Sequence, residues 1–238
     1  MMETIHIIRS AYLENERLVW IREPEKNLNA DHLFVFLDGE LYRERVEANA
    51  VIDKLLANDE IANAWFVFVS MESVESRWRE CPCYPPFAKF IVEELLVWLE
   101  GHYPGITAAR RRTLVGLSYT GLAAAFVANE FPDAFQKVIA QSGSFWSDDC
   151  RLIDEFQRIS RRSSTGFYLD VGRQETQQNV RHREDVLQVV SQIDAVRRFR
   201  DVLQERGYAV KYTEFDGGHE FAAWRKTLPD ALLWALAP

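Results

Sequence analysis

The chain is poor in the features that mark several protein classes. Among its 238 residues there are only three cysteines, Cys81, Cys83 and Cys150. Three thiols do not make the disulfide framework of a small secreted scaffold. Cys81-Pro82-Cys83 has no second cysteine pair and no nearby histidine, so the thiols read as structural and no metal site is expected. No apolar run is long enough to span a bilayer. The opening MMETIHIIRS carries Glu3 and Arg9 where a leader peptide needs an apolar stretch. A cytoplasmic location without membrane partners is therefore expected. Positive charge is scarce too: 28 Lys and Arg against 36 Asp and Glu leave a net charge of -8. Such a chain lacks the electrostatic footprint of a nucleic-acid binder. The clusters Arg110-Arg111-Arg112 and Arg161-Arg162 read as solvated loop charge. With no internal repeat, low-complexity tract or Pro/Gly/Ser linker, a single domain over 1–238 is expected.

What the chain does have is core-forming material: 47% apolar and 13% aromatic residues. Segments 4–13 and 17–22 read as an opening pair of strands. HLFVFLDGE (32–40) and AWFVFVS (64–70) are near-continuous apolar runs, as expected of strands buried on both faces. Helical spacing marks 44–57, and Phe87–Glu100 follows Pro85-Pro86, a favourable helix start. TLVGL, KVIAQSG (137–143), FYLDVG (167–172) and AVKYTEF (209–215) read as further strands. Helices are expected at Gly121–Asn129, roughly 183–206, and 220–236. This alternation predicts an α/β fold with a mostly parallel central sheet and helices on both faces. Functional groups then gather where strands end.

One such end is LVGLSYTGL (114–122). Ser118 follows a strand and precedes a helix, as in a nucleophile elbow. Gly116 supplies the small residue two places before it. Thr120 stands where glycine is commonest, and glycine follows at Gly121. A serine needs a base, and the base needs an orienting carboxylate. His219 follows Asp216-Gly217-Gly218 at a strand end and opens the last helix. His6, His32, His102 and His182 fit that role less well; His182 reads as a solvent-facing residue of a polar helix start. The acid lies between serine and histidine: Glu175, on the loop after FYLD, is preferred to Asp170, which is still in the strand. Glu184 and Asp185 read as helix surface. For the oxyanion, backbone N–H groups of Tyr119 and Glu40 are the candidates, with Leu41 an alternative to Glu40.

Several blocks in this order resemble the esterase family of α/β-hydrolases that includes esterase D-like enzymes and the enterochelin (siderophore) esterases. They are LFVFLDGE, Arg77-x-x-Glu80, VGLSYTGLAAAF, QSGSFW (141–146), VGRQE and DGGHEFAAWRKTL (216–228). The resemblance implies an α/β-hydrolase fold with Ser118 as nucleophile, His219 as base and Glu175 as acid. It also implies a pocket wall from Ser144, Phe145 and Trp146, with Leu41 and Arg77 nearby. Arg77 could support the oxyanion loop or substrate, or pair with Glu80 or another carboxylate; Trp224 and Arg225 are expected to anchor the last helix. Tyr42, Trp78 and Tyr84 are further aromatic candidates for pocket or core. No metal or organic cofactor is required. The expected function is a serine esterase acting on a small-molecule ester. Alternatives are a thioesterase like S-formylglutathione hydrolase, a siderophore lactone esterase, and a catalytically silent binding or regulatory protein. The larger siderophore esterases carry an N-terminal domain for which this chain has no room, which points away from a bulky siderophore. Oligomeric state is not legible.

Overall fold

A computed structural model describes residues 3–25, 30–159 and 164–237; Arg161 and Arg162 lie outside the described residues. The chain opens with strands β1 (Glu3–Ser10) and β2 (Asn15–Arg22), then β3 (His32–Leu37), helices α1 (Gly39–Glu44) and α2 (Ala48–Ala57), β4 (Trp65–Val69) and α3 (Val74–Glu80). A helical run follows: α4 (Pro85–Lys89), a π-helical turn (Phe90–Leu95), α5 (Leu96–His102) and α6 (Pro104–Thr107). Next come β5 (Arg111–Leu117), α7 (Ser118–Glu130), β6 (Lys137–Gln141), α8 (Ser147–Arg158) and β7 (Gly166–Gly172). The chain finishes with β8 (Val180–Arg183), β9 (Val186–Gln188), α9 (Gln192–Glu205), β10 (Val210–Phe215) and α10 (Phe221–Leu236).

Eight strands form one sheet in the order β1-β2-β4-β3-β5-β6-β7-β10. From β4 to β10 every pairing is parallel; β2 is antiparallel to both β1 and β4. Every residue of β3 and β4 is buried. Their alternating side chains serve two cores. Phe34 stacks on Phe66 (5.3 Å between centroids) and Phe36 on Phe68 (4.7 Å), on the face covered by α2 and α10. Leu33, Val35 and Val67 face the opposite core, beneath α5, α7 and α9. Burial on both sides is why these strands read as unbroken apolar runs.

Three expectations need correction. The apolar run over 32–40 is strand only to Leu37: Asp38 turns left-handed (φ 53°) and Gly39 starts a helix, α1. The helix expected over 44–57 is broken by Glu47, also left-handed (φ 57°). The helix expected from about 183 starts only at Gln192, where the Ser191 side chain caps it by accepting the Asp194 N–H at 3.2 Å. Residues 180–188 instead form a separate two-stranded hairpin, β8–β9; Val180 and Val186 suit extended backbone. Arg111 and Arg112 are not free loop charges: they open β5, with Arg111 paired to Asp31 (3.1 Å) and Arg112 to Glu100 (2.5 Å).

Candidate active site

The site assembles from loops that follow neighbouring parallel strands. β3, β5, β7 and β10 end at Leu37, Leu117, Gly172 and Phe215, and are followed by Glu40, Ser118, Glu175 and His219. At the β5–α7 junction Ser118 has φ 52°, strained for a residue with a side chain. The turn is so tight that a Cβ at Gly116 would lie 2.1 Å from the Thr120 carbonyl oxygen. Ser118 Oγ lies 2.9 Å from His219 Nε2 and 3.3 Å from Ser144 Oγ. His219 Nδ1 lies 2.6 Å from Glu175 Oε2. Glu175 Oε1 accepts the Gly172 N–H and the Ser142 hydroxyl, each at 2.7 Å. Both acceptor oxygens are thus committed, which fixes the Nδ1–H tautomer and leaves Nε2 to accept from serine. Main-chain bonds join the two loops: Arg173 N–H donates to the Phe215 carbonyl (2.9 Å) and Gln174 N–H to that of Gly217 (3.0 Å).

Asp170 does not reach this chain of contacts. It is fully buried in β7, where Oδ1 accepts the Ser142 N–H at 3.1 Å and burial pushes its carboxyl up to about 7. Ser142, which the sequence did not single out, supports Glu175 from below and itself accepts the Trp224 indole N–H at 3.0 Å. Arg225 holds the last helix from the other side, with Nε on the Val46 carbonyl (3.0 Å) and an ion pair to Glu47 (2.7 Å).

Thr120, conspicuous as a departure from glycine, has a defined place. Its buried hydroxyl donates to Asp38 Oδ2 (2.9 Å) and accepts the Leu117 N–H (3.0 Å). Asp38 also takes Arg77, with Nε on Oδ1 (3.0 Å) and Nη2 on Oδ2 (2.8 Å). Burial opposes the Arg77 charge, but Asp38 outweighs it and raises its pKa. The partner of Arg77 is therefore Asp38; Glu80 pairs with the fully buried Arg17. Threonine, aspartate and arginine tie the serine turn to the start of α1.

Tyr119 is the second residue of α7, so its N–H has no partner within the helix and points out of the helix N-terminus. Glu40 stands in the first turn of α1. Its carboxylate accepts the Met71 N–H (3.2 Å). Burial, and then Asp38, push the Glu40 carboxyl up to about 7.

A cleft of about 480 Å³ opens over Ser118 and His219. One wall is aromatic. Trp78 meets Tyr119 edge-on (4.7 Å), Tyr119 meets Trp146 edge-on (5.6 Å), and the His182 ring lies parallel to Trp146 (5.1 Å, 10°). Gln174, Gln177 and Gln188 supply a polar rim. Arg77 lines the cleft as well. Two expected wall residues do not. Phe145 is fully buried and stacks on Phe199 (4.0 Å), and Leu41 packs against the core beneath α1. Tyr42 is also core, its hydroxyl donating to Gln141 Oε1 (3.0 Å). His182, expected at a helix start, is a hairpin residue over the cleft; the valines of 180–189 were the available signal.

A mostly parallel sheet carrying these loops at its strand ends defines an α/β-hydrolase. The profile of the family described as "Putative esterase" matches residues 10–235, and the chain belongs to that family. Iron(III) enterobactin esterase of Dickeya dadantii (strain 3937) is 28% identical over 96% of this chain and 53% of its own length. The enterobactin esterase of Shigella flexneri, solved in the presence of enterobactin, superposes with a TM-score of 0.85 at 23% identity, covering 99% of this chain and 59% of that one. A ferulic acid esterase gives a TM-score of 0.75 at 17% identity, over 99% and 98% of the two chains. The chain thus spans little more than half the length of the enterobactin esterases it matches. Among the described residues, no helix is long and apolar enough to cross a membrane.

Proposed function

We propose that this chain is a serine esterase that cleaves a small ester with an aromatic ring in its acyl part, through an acyl-enzyme on Ser118. The observation that carries the proposal is the unbroken contact from Ser118 Oγ to His219 Nε2 (2.9 Å) and from His219 Nδ1 to Glu175 (2.6 Å). His219 Nε2 takes the hydroxyl proton as Ser118 Oγ attacks the ester carbonyl. Glu175 holds the ring and stabilises the imidazolium. The N–H groups of Tyr119 and Glu40 receive the oxyanion, helped by the positive end of α7. Collapse of the tetrahedral species expels the alcohol, which takes the proton from His219. Water then attacks the acyl-enzyme by the same route and frees the acid and Ser118.

The acyl preference rests on the aromatic wall of Trp78, Tyr119 and Trp146, where a planar ring can stack. It also rests on the enterobactin esterase of Shigella flexneri solved in the presence of 2,3-dihydroxy-N-benzoyl-serine, which makes an ester of an N-benzoylated serine the first substrate to try. A cytoplasmic location accords with three unpaired cysteines, two of them buried.

A fluorophosphonate probe should label the parent protein at Ser118 and leave Ser118→Ala unlabelled. Ser118→Ala should also lose about 10⁴-fold in kcat/KM on p-nitrophenyl esters. Unlabelled parent protein without turnover would make this a silent binding protein. Faster turnover of acetyl than of benzoyl or cinnamoyl esters would remove the aromatic preference and leave the esterase standing.

A further inference from the structure

The β1–β2 hairpin closes one edge of the sheet, and among the described residues its outer strand has no neighbour beyond β2. The even-numbered side chains of β1 face inward. Thr4 Oγ1 and His6 Nε2 meet the Tyr103 hydroxyl at 2.8 and 2.6 Å, and Ile8 and Ser10 are buried. The odd-numbered Glu3, Ile5, Ile7 and Arg9 stand on the opposite face. Ile5 and Ile7 are 61% and 65% exposed, and Leu18, the register partner of Ile7 on β2, is 41% exposed. The pairing with β2 is regular over all eight residues, with no bulge and no proline. Soluble proteins rarely leave an apolar, regular edge of this length uncovered.

We propose that β1 pairs antiparallel with β1 of a second copy of this chain, about a two-fold axis at His6, joining the two sheets into one. The order of residues along the strand argues for this partner and this register. Antiparallel pairing centred on His6 sets Glu3 against Arg9 of the partner subunit and Ile5 against Ile7 of the partner subunit. The symmetry repeats both pairings, so each charge meets its opposite and each isoleucine meets an isoleucine. A slip of one residue would turn the isoleucines away from one another and separate the charges. Arg9 has no ion pair within its own chain among the described residues, whereas Glu3 is held at the edge by Arg43. Leu18 extends the apolar strip onto β2. A foreign strand could satisfy the open backbone, but this pattern complements itself. Three strands, β2, β4 and β3, separate β1 from β5, whose end Ser118 follows, so the interface is independent of the esterase chemistry.

Sedimentation velocity of the full chain, up to about 100 µM, should show a dimer. Ile7→Lys should be monomeric with unchanged ester turnover, and Arg9→Glu should weaken the dimer roughly tenfold at low salt. Register is read by cysteine trapping. Opposed strand residues lie within disulfide reach. A mixture of Ile5→Cys and Ile7→Cys proteins should therefore give a covalent dimer under mild oxidation, and each alone should give far less. A monomeric parent at that concentration leaves the edge to another partner and overturns the proposal. So does a dimer that Ile7→Lys leaves intact, or a dimeric parent whose mixed cysteine variants fail to cross-link.

Discussion

Glu175 and His182 both line the same cleft, one at its floor and one at its rim, and they are held by different means. Glu175 is buried, and its carboxylate is fixed by a backbone N–H, a serine hydroxyl and the His219 ring, at 2.6 to 2.7 Å. His182 is exposed; it rests against Trp146, and its Nε2–H donates to Gln188 Oε1 at 2.9 Å. The hairpin that carries it is tied to α3 by Arg183 and Glu75 (2.7 Å), whose side chains are 35% and 72% exposed. An exposed pair of this kind contributes about 0.2–1 kcal/mol. Truncating one side of a buried charged hydrogen bond costs several times more. Floor geometry is therefore over-determined and rim geometry adaptable. Substitutions at the floor should act on kcat, and those at the rim on KM.

The sharpest way to break that contrast is at the two neighbouring acids. Glu175→Gln should lower kcat about 10³- to 10⁴-fold with little change in KM, because the ring loses its orienting charge. Asp170→Asn should leave kcat within about threefold, since Asp170 touches Ser142 and not His219. Its effect belongs to stability. The buried carboxyl keeps its proton to about pH 7, against an ordinary value of 3.8 in the unfolded chain. Between those values the unfolded chain has released the proton and the folded one has not, so stability falls as pH rises. Asp170→Asn should flatten that fall, as read by thermal unfolding between pH 4 and 7. Equal losses of kcat in the two variants would remove the assignment of Glu175.

These contacts also show what the sequence made legible. Leu33–Leu37 and Trp65–Val69 could be read because strands buried on both faces leave an unmistakable apolar run. Ser118, Glu175 and His219 stood out as candidates because each follows a strand, in the serine–acid–histidine order of α/β-hydrolases. Thr120 looked like an imperfection, because its meaning lies in Asp38, 82 residues away. From about residue 183 the hairpin reads as helix, because the charges of Arg183, Glu184 and Asp185 fit a helix surface equally well. Only contact with Trp146 and α3 decides between the two. Phe145 and Trp146 are adjacent and chemically alike, and which of them faces the cleft depends on how the loop after β6 turns.

Thr120→Val tests whether the floor extends to the oxyanion loop. Valine fills the space but cannot donate to Asp38, so the link from the serine turn to α1 is lost. The expected cost is about 1–3 kcal/mol of stability, with kcat lowered roughly tenfold. Thr120→Ser should restore most of the rate. A Thr120→Val enzyme as active as its parent would confine the floor to the serine, histidine and glutamate.

Glu40, in the first turn of α1, has a side chain that opposes the oxyanion role proposed for its amide. Its carboxylate belongs to the same residue as the amide proposed to receive the oxyanion, and accepts the Met71 N–H at 3.2 Å. With its carboxyl pushed up to about 7, Glu40 is largely neutral below that pH and charged above it. Negative charge beside a developing oxyanion raises the barrier. Turnover should therefore decline above pH 7, and Glu40→Gln should remove the decline, leaving the variant roughly threefold faster near pH 9. An identical pH profile in parent and variant would take Glu40 out of the oxyanion site.

The smallest effect is expected at the rim, and it decides what the aromatic wall is for. His182 lies parallel to Trp146 at 5.1 Å and tilted to Trp78 at 6.0 Å, so its ring takes part of the wall that an aromatic acyl group would use. Two outcomes follow from the geometry, and they differ in sign. If the imidazole is a wall that substrate stacks against, His182→Ala should raise KM for benzoyl esters about threefold and leave acetyl esters alone. If the imidazole fills the slot and substrate must displace it, the same variant should lower KM for benzoyl esters. The hairpin is held by few buried contacts, and Gln188 is the one side chain bonded to the ring, so displacement costs little. The lowered KM is therefore the expected result, with kcat unchanged because no floor contact is touched. A fall in kcat after His182→Ala would show that rim and floor are not separable.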